Sequence, residues 1–140
     1  MVDKILNFII HFMELVREII FPYGKVQLWN PELIRLEFFT KAMIGRKECV
    51  EVNNTIGVLT NGRQARVLTV AAEDTHFDAE ARDESSSPNG LRFTIADAFV
   101  AKNLAQKLMV NFYLRFNKPA KPSKAFNSED DAIKWLWEQS

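Results

Sequence analysis

The spacing of apolar residues changes period several times along the chain, and each change predicts an element. In "KILNFIIHFMELVREII" the polar residues Lys4, Asn7, His11, Glu14 and Glu18 recur at three- and four-residue steps. Ile5, Phe8, Ile9, Phe12, Val16, Ile19 and Ile20 fill the rest, the pattern of an amphipathic helix from Lys4 to Ile20. Phe21-Pro22-Tyr23-Gly24 then breaks the pattern, and "KVQLW" and "LIRLEFF" read as two strands of a hairpin turned at Asn30-Pro31-Glu32. Cys49, Val52, Ile56 and Leu59 share one face of a helix running from Gly45 and ended by Asn61-Gly62. The unbroken apolar run "ARVLTVAA" is a buried strand.

Thr75 with Asp78 three residues later has capping-box spacing, so a short helix is expected to start there. It should fade into a solvated loop that holds Ser85, Ser86 and Ser87. "IADAFVA" is a second buried strand, and Asn103 with Gln106 caps another helix. The inward face of that helix is read as Leu104, Leu108 and Phe112 with Ala105, Met109 and Phe116. Pro119 and Pro122 bracket an extended link, Ala125-Phe126 is an edge strand, and Ser128 with Asp131 caps a last helix. Glu129, Asp130 and Asp131 suit the positive end of its dipole, while Ile133, Leu136 and Trp137 form its inner face. From Ala65 onward, strand and helix alternate, which implies parallel β-α-β units with right-handed crossovers.

Composition narrows the function classes. A chain of 140 residues, 47% hydrophobic and 26% charged with 5 Gly and 5 Pro, is a globular domain with a real core. A formal net charge of +0 removes the attraction on which non-specific nucleic-acid binders depend. With Phe112 and Phe116 turned inward, no aromatic face remains for bases, so no nucleic-acid partner is expected. The single Cys49 and an N-terminus without a basic head or small-residue cleavage site favour a reducing, cytoplasmic setting. His11, Glu14, Arg17 and Glu18 interrupt the first apolar run, which argues against a membrane span. Too few lysines and arginines line its polar stripe for an anionic membrane surface; its own domain or a second subunit should cover the apolar face.

No catalytic constellation is visible. The glycines are isolated, so there is no P-loop, dinucleotide fingerprint or nucleophile elbow. His11 and His76 lie on separate elements with no cysteine or carboxylate at ligand spacing, so neither a metal nor a cofactor is expected. His76 beside Asp74 and Asp78 is read as a surface histidine on a first helical turn rather than a general base. Cys49 reads as a small core residue. Glu73, Asp74, Asp78, Glu80, Asp83 and Glu84 crowd one segment. Lys102, Lys107, Arg115, Lys118, Lys121 and Lys124 gather in another that contains no acid. Opposed patches of this kind either steer a charged partner or complement one another as neighbouring helices.

The segment "IADAFVAKNLAQKLMVNFYLRFNKPAKPSKAFNSEDDAIKWL" resembles the bacterial STAS/SEC14-like (SpoIIAA-like) family. The likeness lies in the order of a buried strand, an amphipathic helix, Asn117-Lys118-Pro119, a strand ending at Phe126, and the helix of Ala132-Ile133-Lys134-Trp135-Leu136. It spans roughly Leu68 to Leu136 and omits the N-terminal helix. The resemblance implies an α/β fold, a four- to five-stranded mixed sheet with helices mainly on one face. Residues 1–21 would be an added amphipathic helix and 22–140 the domain. It also implies a non-enzymatic interaction or regulatory module, self-associating as a homodimer or binding a protein partner. The alternative is a SEC14-like carrier of a lipid or other apolar small molecule. Asp74-Thr75-His76-Phe77 is the nearest match to the Asp-Ser-Ser-Gly phospho-switch of anti-sigma-factor antagonists; only Asp74 and the hydroxyl of Thr75 fit, and a plain N-cap is the competing reading of Thr75.

Overall fold

The computed structural model of the chain describes Lys4 and residues 11–140. Among these the fold is α/β. Three strands, β1 (Glu14–Phe21), β2 (Gly24–Asn30) and β3 (Leu33–Phe38), form an antiparallel meander. A short strand β4 (Met43–Ile44) leads into helix α1 (Arg46–Leu59), then β5 (Ala65–Ala71), β6 (His76–Phe77) and helix α2 (Ala79–Ser86). Strand β7 (Thr94–Val100), helix α3 (Leu104–Phe116), strand β8 (Ser123–Phe126) and helix α4 (Glu129–Trp137) complete the order.

The main sheet has six strands in the order β1-β2-β3-β5-β7-β8, and β3, β5, β7 and β8 run parallel. Every crossover thus joins neighbours in the sheet, as the alternation after Ala65 required. Strands β4 and β6 pair as a separate two-stranded parallel ribbon.

Two expectations for the N-terminal region need correction. Residues 14–21 are not helical: they pair with β2 from Glu14↔Asn30 to Phe21↔Gly24, through a two-residue turn at Pro22-Tyr23. Val16, Ile19, Ile20 and Phe21 are β-branched or aromatic, and a ready neighbour across a tight turn outweighed a 3.6-residue period that the same residues also satisfy. The boundary expected after residue 21 therefore falls inside a hairpin, and the sheet gains a sixth strand. Of the rest of the expected helix, Lys4 and His11 are helical and residues 5–10 lie outside the described residues.

Alternation along the strands divides the core into two layers. Val26, Ile34, Leu36, Ala65 and Val67 meet Cys49, Val52, Ile56 and Leu59 of α1 on one face. Leu33, Leu68, Ala96 and Ala98 meet Ala132, Ile133 and Leu136 of α4 on the other. The small Ala96 and Ala98 let α4 approach closely. Two arginines from adjacent strands pin that helix. Arg35 of β3 forms a bidentate pair with Glu129 at its start, with Nε–Oε1 2.8 Å and Nη2–Oε2 3.1 Å. Arg66 of β5 donates to the carbonyls of Leu136 (2.8 Å) and Gln139 (2.6 Å) at its end. Ser128 caps the same helix, its hydroxyl accepting from the Asp131 amide. The helices α1, α2 and α3 lie on the opposite face.

Candidate ligand-binding site

Helices α1, α2 and α3 do not close tightly on their face of the sheet. Between them is a cavity of about 140 Å³, walled by Leu36, Val67 and Phe99 of the sheet, Val52 and Ile56 of α1, and Met109 and Val110 of α3. It adjoins a shallower depression at the carboxyl ends of β3, β5 and β7, with which it shares Phe38, Ala71, Ala72, Glu73, Val100 and Gln106. Crevices at the carboxyl ends of parallel strands are where open α/β sheets usually take ligands.

A few polar groups interrupt the apolar wall. On β7, Ala96 and Ala98 face α4, which turns Asp97 toward the cavity. Its Oδ1 accepts a 2.8 Å bond from the Thr69 hydroxyl of β5. No ion pair joins it among the described residues, and burial pushes its carboxyl up to about 7 against the opposing pull of that one bond. The accessible surface Asp97 keeps is cavity surface. Asn53 of α1 is also on the wall, and its Nδ2 is the one buried side-chain polar atom among the described residues without a hydrogen-bond partner. Tyr113 of α3 stands edge-on to Phe99, ring centroids 5.6 Å apart, and its hydroxyl accepts from Ser85 at 3.3 Å. Burial raises the Tyr113 phenol above its ordinary range. Cys49 lines the same space; burial pushes its thiol up to about 12, so it is a packed wall residue and not a thiolate.

Helix α3 covers this cavity with few anchors. Gln106 donates to the Ala71 carbonyl at 3.0 Å, Asn117 donates to Asp83 at 3.0 Å, and the Ala120 amide donates to Ser86 at 3.0 Å. Tyr113 is the one fully buried residue of α3. Most of the inward face expected from the sequence is here the outward one: Leu104, Leu108, Phe112 and Phe116 are exposed, Leu104 at 70% and Phe116 at 62%, while the partly exposed Met109 still reaches the cavity. The helix is apolar nearly all round, so Val110, Tyr113 and Leu114 offered a second stripe of equal spacing, and that stripe faces the sheet. The aromatic pair Phe112–Phe116, centroids 4.5 Å apart, is therefore on the surface beside the basic segment.

The other candidates fall as follows. Thr75 is not at a helix start. It is buried, donates its hydroxyl to the Phe39 carbonyl at 3.0 Å, and precedes strand β6. The true N-cap of α2 is Asp78, which accepts from the Ala81 amide at 2.8 Å. A phosphate on Thr75 would have to displace an internal bond and would not lie at a helix terminus. His76 sits in β6 rather than on a helical turn. Ser85 and Ser86 belong to α2 instead of a loop, and Ser87 is its C-cap. Lys102, Lys107, Arg115, Lys118 and Lys124 are exposed and Lys121 half-buried; none is within an ion-pair distance of an acid among the described residues. Arg115 lies over the Phe116 ring instead, 5.6 Å from its centroid. The acidic segment meets α3 through Asp83–Asn117 and through Arg82 over the Phe112 ring, with no ion pair among the described residues, so charge complementarity between these helices is not what holds them.

Among the described residues no group of three or more His, Cys, Asp or Glu side chains is placed to hold a metal ion. No described helix is long and apolar enough to cross a membrane. Sequence reasoning did not select Asp97, Thr69, Asn53 or Tyr113. One signal was present: Asp97 is the lone charge in the apolar run "IADAFVA", and a carboxylate in a central strand needs a reason.

Comparison with curated proteins and with solved structures gives no match. A family model described as a domain of unknown function (DUF7793) matches residues 31–140, from the turn before β3 through α4, and the chain belongs to that family.

Proposed function

We propose that this chain is a non-enzymatic binding module that holds an apolar small molecule in the cavity under α3. The observation that carries the reading is the cavity itself. Its volume of about 140 Å³ is close to that of engineered cavities of roughly 150 Å³ that take up benzene. Its walls are mainly aliphatic and aromatic, interrupted by polar groups from the sheet and from all three helices. Catalysis lacks comparable support. The buried thiol is held protonated, and among the described residues no third acid–base side chain bonds to the Thr69–Asp97 pair. Kinship with SEC14-like carriers and STAS domains is supported by the parallel β-α-β order and by the strand-to-helix ending at Phe126 and Ser128. Native mass spectrometry before and after solvent extraction tests the proposal, together with thermal shifts by apolar probes. A protein that carries nothing and gains no stability from any probe sinks it.

A second reading, self-association as an interaction module, is favoured by the exposed row Leu104, Leu108, Phe112 and Phe116. The proposed occupant is a second copy, because acidic α2 and the basic segment beside α3 on one molecule match the reverse order on another. Light scattering of the wild type and of a Phe112→Ser, Phe116→Ser variant decides it. A wild type that stays monomeric at high concentration rules it out.

A further inference from the structure

Among the cavity's polar groups one pair is joined across the sheet. Thr69 and Asp97 lie on adjacent strands at its floor, and the Thr69 hydroxyl occupies only Oδ1 of the carboxyl. Among the described residues no other side chain or amide bonds to that carboxyl. Of the groups that line the cavity from the packed helices, Arg82 is the one cation among the described residues, and none of them bonds to Asp97. Cys49 and Asn53 come from α1, and Tyr113 comes from α3. From α2 come Ser85, turned to Tyr113, and Arg82, whose Nη1 donates to the Phe77 carbonyl at 2.7 Å and whose guanidinium lies over the Phe112 ring.

A carboxyl in an apolar wall with half its bonding capacity unmet is costly unless something supplies the missing donor. Building on the reading that the cavity binds an apolar molecule, we infer that its ligand ends in one hydrogen-bond-donating group, an amine or a hydroxyl, that bonds to Asp97. The part of the ligand held inside the cavity is about the size of one aromatic ring. An ammonium gains most, since it supplies both a donor and the absent charge. A carboxylate ligand of the same size is rejected, because it would set like charges together in a poorly hydrated space. Discrimination of this kind is strong where a site is built to bond a polar group and weak where only methylenes differ.

The test uses the full chain and four near-isosteric probes: toluene, benzyl alcohol, benzylamine and benzoate. Affinities are measured by ligand-observed NMR at pH 8, for the wild type and for Asp97→Asn. The expected order is benzylamine, then benzyl alcohol, then toluene, with benzoate weakest and at least tenfold between the first and third. In Asp97→Asn the advantage of benzylamine over toluene should fall to less than threefold. If toluene and benzylamine bind equally well to the wild type, the inference is wrong and the apolar-cavity reading survives. If none of the four binds, the cavity reading fails and this inference goes with it. Should Asp97→Asn not fold, the contrast between benzylamine and benzoate in the wild type still decides the matter.

Discussion

Thr69 on β5 donates its hydroxyl to Asp97 on β7 at 2.8 Å, and this single bond opposes burial that holds the carboxyl at about 7. The sign of the stability effect follows. The folded-state value lies above that of an unfolded aspartate, about 3.9. The folded protein therefore binds the extra proton between those two values, and stability falls as pH rises through that window. The loss is on the order of 1.4 kcal/mol per pH unit. Urea midpoints between pH 5 and 7.5 should decline for the wild type and stay level for Asp97→Asn. An equal decline in both would place the titration elsewhere.

Arg35 and Glu129 predict an acid limit of opposite sign. The Arg35 guanidinium holds the Glu129 carboxyl below its usual range, so that contribution is present at neutral pH and is lost as pH falls through the lowered value. Arg35 also bonds Glu37 at 2.8 Å. Replacing it by Met leaves two half-buried carboxylates without their partner, and the expected cost is about 1–3 kcal/mol. Arg35→Met should also weaken the acid dependence below pH 4.5, read from the same denaturation series.

Gly57 sits against a ring. A Cβ at this position would come within 2.4 Å of Phe93 Cε2. Alanine at a helix-interior glycine ordinarily gains up to ~1 kcal/mol, whereas overpacking costs about 1–3 kcal/mol. The second effect should win, so Gly57→Ala is expected to lower the melting temperature. Because the obstacle is a side chain, Phe93→Leu in the same chain should recover part of the loss, and simple additivity of the two changes would contradict the contact.

The two stripes of α3 can be separated by truncation. Tyr113→Ala removes the one buried anchor of the helix and should cost roughly 3–5 kcal/mol. Phe112→Ala, half exposed on the outer stripe, should change stability by no more than ~0.5 kcal/mol. Equal losses from chemical denaturation would mean that the outer stripe is packed.

Cys49 offers a simple check on the wall of the cavity. With its thiol near 12 and its Sγ 3.6 Å from the Ala81 carbonyl, it should resist a thiol reagent at pH 8 until the protein unfolds. Immediate labelling of native protein would show that α1 and α2 separate readily.

The sheet was legible because its signals are local. "ARVLTVAA" and "IADAFVA" are unbroken apolar runs, and Ser128 and Asn103 cap the helices their spacing indicated. The caps failed once, at Thr75, where Asp78 supplied an equally good oxygen three residues closer to the helix. Periodicity failed where it was degenerate. Residues 14–21 satisfy both periods, and α3 has two apolar stripes, so only the partner on offer selects between them. The cavity was illegible for a different reason. Asp97, Thr69, Asn53 and Tyr113 meet through three crossovers, and no spacing along one chain encodes a meeting of four elements.

Helix α4 follows every strand among the described residues, and of α1 to α4 it is the one helix that packs on the back of the sheet. Until it has been made, Leu33, Leu68, Ala96 and Ala98 lack the cover of Ala132, Ile133 and Leu136 and form a greasy plane. The last dozen or so residues thus act as a keystone, set after the arch is standing. A ribosome-bound chain halted before Ser128 should recruit chaperones or clump, although its cavity side would already be assembled.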